Sequence, residues 1–295
     1  MTEAELRALV AEVVREVVKS GEASSGEGRP VVREAEPLRR GPHHRPLPAP
    51  RSPEALEQLK ASTPSRIVTG RTGTRYLTRS YLGLRADHAI ALDAVESEIA
   101  DGWAEQQGWV PLRTRAKDHA EFLLHPDQGR SLDEASRQRC EKDGQRGLDV
   151  QLIAGDGLSA EALRVNGPAL MKALHHHLTG AGFRVGTPLF VKFARIAVQD
   201  EIGVITQAKA TIIVVGERPG LGTGDSLSIY TAYGPKLGQD NAEKDCISNV
   251  RDLGFAPERA AARCAALMRE TFAAGGGGVK LTGADPAFRP HQSNH

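Results

Sequence analysis

Apolar residues recur along this chain with two different periods, and the change from one to the other divides it. Leu6, Leu9, Val10, Val13, Val14 and Val17 repeat at three- and four-residue spacing, while Glu5, Arg7, Glu12, Arg15, Glu16 and Lys19 take the other faces. The pattern predicts an amphipathic helix over residues 1–20, and Thr2 with Glu5 has capping-box spacing. Residues 21–52 read as a disordered Pro/Arg-rich linker, because seven prolines between Pro30 and Pro53 leave little that could form a core. From 53 to 147 the spacing is helical and polar. Ala86–Trp103 carries Leu92, Val95 and Ile99 at helical spacing, and Ser131–Cys140 is a shorter candidate, so a small helical domain is expected there.

The texture changes after Gly147. Apolar runs of strand length, Val150–Ala154, Leu189–Phe193, Ala210–Val215 and Leu227–Tyr233, alternate with the helical segments Ser159–Leu178 and Ile196–Thr206, and Pro257–Ala274 closes the series. Such alternation predicts an α/β layer fold with a largely parallel sheet over residues 148–295, a Rossmann-like three-layer domain following the helical one. Pro168 is expected at the first turn of a restarted helix, since proline inside a helix removes a hydrogen bond. Gly275–Gly278 is expected to end the last helix.

Charge and cysteine content narrow function by exclusion. Thirty-eight Lys plus Arg against 37 Asp plus Glu leave a formal charge of +1 over 295 residues, which gives no electrostatic case for nucleic acid or a membrane surface. Cys140, Cys246 and Cys264 are odd in number and lack metal-ligand spacing, so a reducing, cytoplasmic setting is the expectation. The apolar stretch Ala210–Val215 is far shorter than a membrane span, and the N-terminus lacks the apolar core of a secretory signal.

Candidate chemistry is sparse. The loop from Gly216 to Asp225 follows a buried strand, where open α/β sheets place ligands. Its glycines match neither the dinucleotide fingerprint nor a P-loop; they would let backbone approach a bulky ligand or a neighbouring chain, and Glu217 could accept hydrogen bonds from such a ligand. His175, His176 and His177 point about 100° apart on a helix and cannot converge on one metal ion. Asp87 before His88 reads as a helix cap, and Arg113, Arg115 and Lys117 as a solvated basic face. Asp240, Glu243 and Asp245 precede Cys246, but no base or helix N-terminus near Cys246 in sequence marks it as a nucleophile. No self-sufficient catalytic centre emerges from spacing alone.

Specific words carry more than these patterns. Leu152-Ile153-Ala154-Gly155-Asp156-Gly157-Leu158-Ser159, Gly216-Glu217-Arg218-Pro219-Gly220-Leu221-Gly222, Asp225-Ser226-Leu227-Ser228 and Cys246-Ile247-Ser248-Asn249, preceded by Arg79-Ser80-Tyr81-Leu82 and Ala86-Asp87-His88, resemble the signature segments of the small (light) subunit of ethanolamine ammonia-lyase. The resemblance spans roughly residues 75–280. It implies an adenosylcobalamin-dependent lyase that converts ethanolamine to acetaldehyde and ammonia by radical chemistry. It further implies a large subunit that holds substrate, and a small one that covers part of the cobalamin at the interface between chains. It implies no catalytic residue and no protein metal ligand in this chain, and an assembly of six large and six small subunits. Carried over position by position, it places cofactor contacts at Ile196, where isoleucine replaces the family's valine, at Glu217 and at Cys246. An N-terminal segment that docks to bacterial microcompartment shell proteins is a further implication, which the capped helix and linker fit. Two other readings compete: a nucleotide-dependent oxidoreductase, resting only on glycines after a strand, and a cobalamin carrier or assembly protein.

Overall fold

The structure is a computed structural model that describes residues 51–282 except 64, 66 and 68. The helix expected over 1–20 and the linker expected over 21–52, apart from its last two residues, lie outside the described residues. The chain divides into two units at Gly70. In the first, helix α1 (Pro53–Ala61) starts at Ser52, whose side chain accepts a hydrogen bond from the Ala55 N–H, with proline at the first helical position.

The second unit begins with a two-stranded ribbon, β1 (Arg71–Thr72) and β2 (Arg75–Tyr76), followed by α2 (Thr78–Glu96) and the short α3 (Trp103–Gln106). Next come β3 (Val110–Arg113), α4 (His119–Leu124) and α5 (Glu134–Asp143). The remainder is β4 (Val150–Gly155), α6 (Ala160–Gly180), β5 (Leu189–Lys192), α7 (Val198–Thr206), β6 (Ala210–Gly216), β7 (Leu227–Tyr233), β8 (Lys244–Val250) and α8 (Pro257–Ala274). The six-stranded sheet has the order β3-β5-β4-β6-β7-β8.

β3, β5, β4 and β6 run parallel, with Val110 opposite Leu189 and Val150 opposite Ala210; β7 and β8 are antiparallel. The sheet is therefore mainly parallel and mixed at one side. Alternation along the buried strands sends successive side chains to opposite faces. Leu152 and Ala154 of β4 and Ile212 and Val214 of β6 join one core, which α6 and α8 complete with Leu163, Leu174 and Met268. Ile153 and Ile213 join another core on the opposite face, with Ile202 of α7 and Cys140 of α5. Burial on both faces explains why these strands read as unbroken apolar runs.

Three expectations need correction. Residues 53–147 are not all helical, because Val110–Arg113 forms an edge strand parallel to β5; four residues with a proline second give too little alternation to stand out. Pro168 lies inside one continuous helix, α6. Exposed Arg164 marks the outer face of this turn, while Leu163, Leu170, Met171 and Leu174 bury the other face and hold the helix together across the proline. Asp87 caps nothing: α2 begins nine residues earlier, at Thr78, and Asp87 is buried within it. Gly275 does end α8, in the left-handed conformation that glycine adopts without strain.

Candidate functional site

The connection from β4 to β5 moves one way across the sheet, and the connection from β5 to β6 returns past β4 to its other side. Loops leaving the carboxyl ends of these strands are thereby splayed apart, and a crevice opens between them. A cleft of about 740 Å³ occupies this place. Gly157 and Leu158 from the β4 loop, Ala194, Arg195 and Ile196 from the β5 loop, and Gly216, Glu217 and Arg218 from the end of β6 line it. Ser228 and Tyr230 of β7 and Cys246 of β8 form the remaining wall with Gln239.

Asp156 organises the floor. Its carboxylate, only 3% exposed, accepts from the N–H groups of Gly157 at 2.9 Å, Phe193 at 2.9 Å and Ala194 at 3.1 Å. It thus ties the β4 loop to the β5 loop. Burial nevertheless dominates its titration and pushes its pKa up to about 6, against the lowering effect of those three donors. Phe193 sits at φ 59°, a conformation bulky residues avoid, and Asp156 helps hold it there, with the Thr114 hydroxyl donating to its carbonyl at 2.9 Å. Gly157 and Gly216 meet across the floor: a Cβ on Gly216 would stand 2.1 Å from the Ser159 carbonyl oxygen, so only glycine fits.

Glu217 projects into the cleft at the end of β6, and its carboxylate accepts from the hydroxyls of Ser226 and Ser228 and from the Asn249 N–H at 3.1 Å. These bonds fix its orientation and join β6, β7 and β8 at the rim. Ile196 lies in the turn before α7, partly buried against the second core, and presents an apolar surface. Cys246 pairs with Tyr230 across β7 and β8. Burial, then the Glu217 carboxylate, raises its thiol pKa despite side-chain hydrogen bonds with Tyr230 and Ser228; the group is a neutral thiol at neutral pH, unsuited to nucleophilic attack. Tyr230 is pushed up to about 12, chiefly by burial, and stays a phenol. Ile196, Glu217 and Cys246, separated in sequence by up to fifty residues, thus share one cleft.

Five buried side-chain polar atoms have no hydrogen-bond partner among the described residues; three of them, Arg195 Nε, Asp200 Oδ1 and Gln239 Oε1, belong to residues lining this cleft. Unpaired buried polar atoms are costly, so these three lie under strain behind the cleft wall. Asp200 also pairs through Oδ2 with Lys244 Nζ at 2.9 Å, both side chains being almost wholly buried. Burial outweighs Lys244 and raises the Asp200 pKa.

The other candidates resolve into structure. Gly222 and Gly224 of the loop after β6 bring backbone against α2, not against the cleft: their Cβ positions would lie 2.8 Å from Asp87 Oδ1 and 2.8 Å from Ala94 Cβ, and the Gly222 N–H donates to the Asp87 carbonyl. His177 pairs with Glu258 at 2.6 Å between α6 and α8, while His175, His176 and His88 are exposed. Arg113 stacks over Phe193 at 5.2 Å. Asp240 caps a short 3₁₀ turn, Glu243 pairs with Lys236 and Asp245 accepts from the Gly278 N–H. Among the described residues no group of three His, Cys, Asp or Glu could hold a metal ion, and no helix is long and apolar enough to cross a membrane.

The pattern that describes the ethanolamine ammonia-lyase light chain (EutC) matches residues 53–282. Over 202 residues, 68% of this chain and 84% of the relative, the sequence is 42% identical to the ethanolamine ammonia-lyase small subunit of Clostridium acetobutylicum. A match across nearly all the described residues leaves one assignment: the chain belongs to the ethanolamine ammonia-lyase light-chain, or small-subunit, family.

Proposed function

We propose that this chain is the small subunit of an adenosylcobalamin-dependent lyase converting ethanolamine to acetaldehyde and ammonia, and that its cleft at the carboxyl ends of β4, β5 and β6 covers part of the corrinoid against the large subunit. One observation supports the reading above others: Ile196, Glu217 and Cys246, the three contacts that family resemblance picks from three separate segments, line a single cleft. The residues present suit the group. An apolar floor of Leu158, Ile196 and Val215 matches the flat face of a macrocycle, and the polar groups of Glu217, Ser228 and Tyr230 on the wall match peripheral amides that both donate and accept.

The bound coenzyme supplies the radical chemistry; this chain's residues hold and orient. Glu217, fixed by Ser226, Ser228 and Asn249, has lone pairs left for an amide N–H. Cys246, held as a thiol, and Ile196 add a neutral wall that excludes water. The doubly wound, Rossmann-like character of the sheet serves to place these loops, and cytoplasmic location, with residues 1–20 docking to microcompartment shell proteins, belongs to the same reading.

The test is reconstitution. Adenosylcobalamin-dependent acetaldehyde formation from ethanolamine is expected when this chain and an ethanolamine ammonia-lyase large subunit are mixed, and absent with either alone. Full turnover by the large subunit alone once cofactor is supplied would favour a carrier and overturn the proposal.

A further inference from the structure

Three arginines line the cleft near enough for Arg218 and Arg130 to act electrostatically on Arg195, and none has a carboxylate at ion-pair distance among the described residues. Arg130 follows α4 in a 3₁₀ turn, Arg195 leaves β5, and Arg218 leaves β6; all three line the cleft. The arrangement is built. The Arg195 N–H donates to the Gly129 carbonyl at 2.8 Å, and Gly129 has no room for a Cβ, which would stand 2.7 Å from Arg195 Cγ. Arg195 is held further by stacking on Phe122 at 4.2 Å and by an Nη2 hydrogen bond to the Phe122 carbonyl at 2.9 Å. Its Nε is buried and has no partner. Some arginines are matched with acids, as in Arg137–Glu201, Arg164–Glu161, Arg184–Asp149 and Arg251–Asp225; what sets these three apart is that they share one cleft. Arg130, Arg195 and Arg218 have no ion pair among the described residues, so their mutual repulsion is uncompensated within them.

A cleft that gathers like charges around one fixed arginine is matched to an anion. Corrinoid amides are neutral, and the one fixed anion on a cobalamin is the phosphodiester of its nucleotide tail. We propose that Arg130, Arg195 and Arg218 form the anion-binding edge of the cleft and hold this phosphodiester; the inference rests on the cobalamin reading and deepens it. Recognition there selects the complete cofactor over corrinoids without the tail.

The test uses the complex of this chain with a large subunit and two probes, hydroxocobalamin and cobinamide, which lacks the nucleotide tail and its phosphodiester. Binding is read by equilibrium dialysis and visible corrin absorbance. The double substitution Arg130→Ala, Arg218→Ala, at two exposed side chains, is expected to weaken hydroxocobalamin binding about tenfold or more, as losing charge-assisted hydrogen bonds does, while cobinamide affinity stays within about twofold. Equal weakening of both probes, no weakening of either, or loss of complex assembly in place of selectivity overturns the proposal. Failure of the unsubstituted complex to bind either corrinoid would instead overturn the cobalamin reading itself.

Discussion

Asp156 gathers three backbone donors into one buried carboxylate. Asp156→Ala strips the acceptor from Gly157, Phe193 and Ala194 at once; each unsatisfied buried group costs about 1–3 kcal/mol, so a loss of about 3 kcal/mol or more is expected in urea unfolding. Its titration adds a pH signature. The folded-state pKa, about 6, lies above that of a free aspartate. The folded chain therefore binds this proton more tightly than the unfolded chain, and the group's contribution is fullest below about pH 4 and lost as pH rises through 6. Relative to Asp156→Asn, the protein should lose stability between pH 4 and 6 and change little from 7 to 8; a stability difference that is flat from 4 to 6 would contradict the assignment. That Ile196, Glu217 and Cys246 share a cleft was legible only through the family resemblance, in which Glu217 and Cys246 sit inside characteristic words. Tyr230, Gln239 and Asp200 were not: nothing local distinguishes them, and only strand pairing and the approach of α7 bring them to the cleft.

Elements position these residues through two tight contacts. At the first, the end of β6 packs on the β4 loop so closely that Gly216→Ala would drive a Cβ into the Ser159 and Asp156 carbonyl oxygens. Backbone must shift, and a destabilisation of about 2 kcal/mol or more, from overpacking in a well-packed interior, is expected in the thermal midpoint. At the second, Lys244 of β8 meets Asp200 of α7 across the sheet edge. Removing one partner of a buried pair costs about 3–5 kcal/mol. Lys244→Met should therefore destabilise strongly near neutral pH, and progressively less as the pH is lowered, because burial raises the Asp200 pKa and the isolated carboxyl can take up a proton; a loss that does not change with pH would argue against an ionised Asp200. The long buried strands and α8 could be read from the chain because two-faced burial makes apolar runs and amphipathic spacing unmistakable. β3 escaped for want of length. Pro168 misled because local propensity yields to the packing of both flanks of α6.

For the whole molecule, the proposed division between cradle and chemistry rests on what the cleft contains. Its acids are bound to donors or to Lys244, its thiol and phenol are held neutral, and its remaining charge is arginine. On the proposed function, such a surface binds and orients. The sequence patterns alone stopped at an α/β protein with a ligand surface at strand ends, because a binding wall leaves no acid–base or metal spacing to read; the characteristic words supplied the rest. The most direct measurement of the central claim is hydroxocobalamin affinity, by equilibrium dialysis, for the large subunit alone, for this chain alone and for the two combined. Tight binding is predicted only for the combination, and at least about tenfold weaker for either chain alone. A large subunit that binds the corrinoid as tightly by itself would contradict a cofactor cradle shared between the two chains.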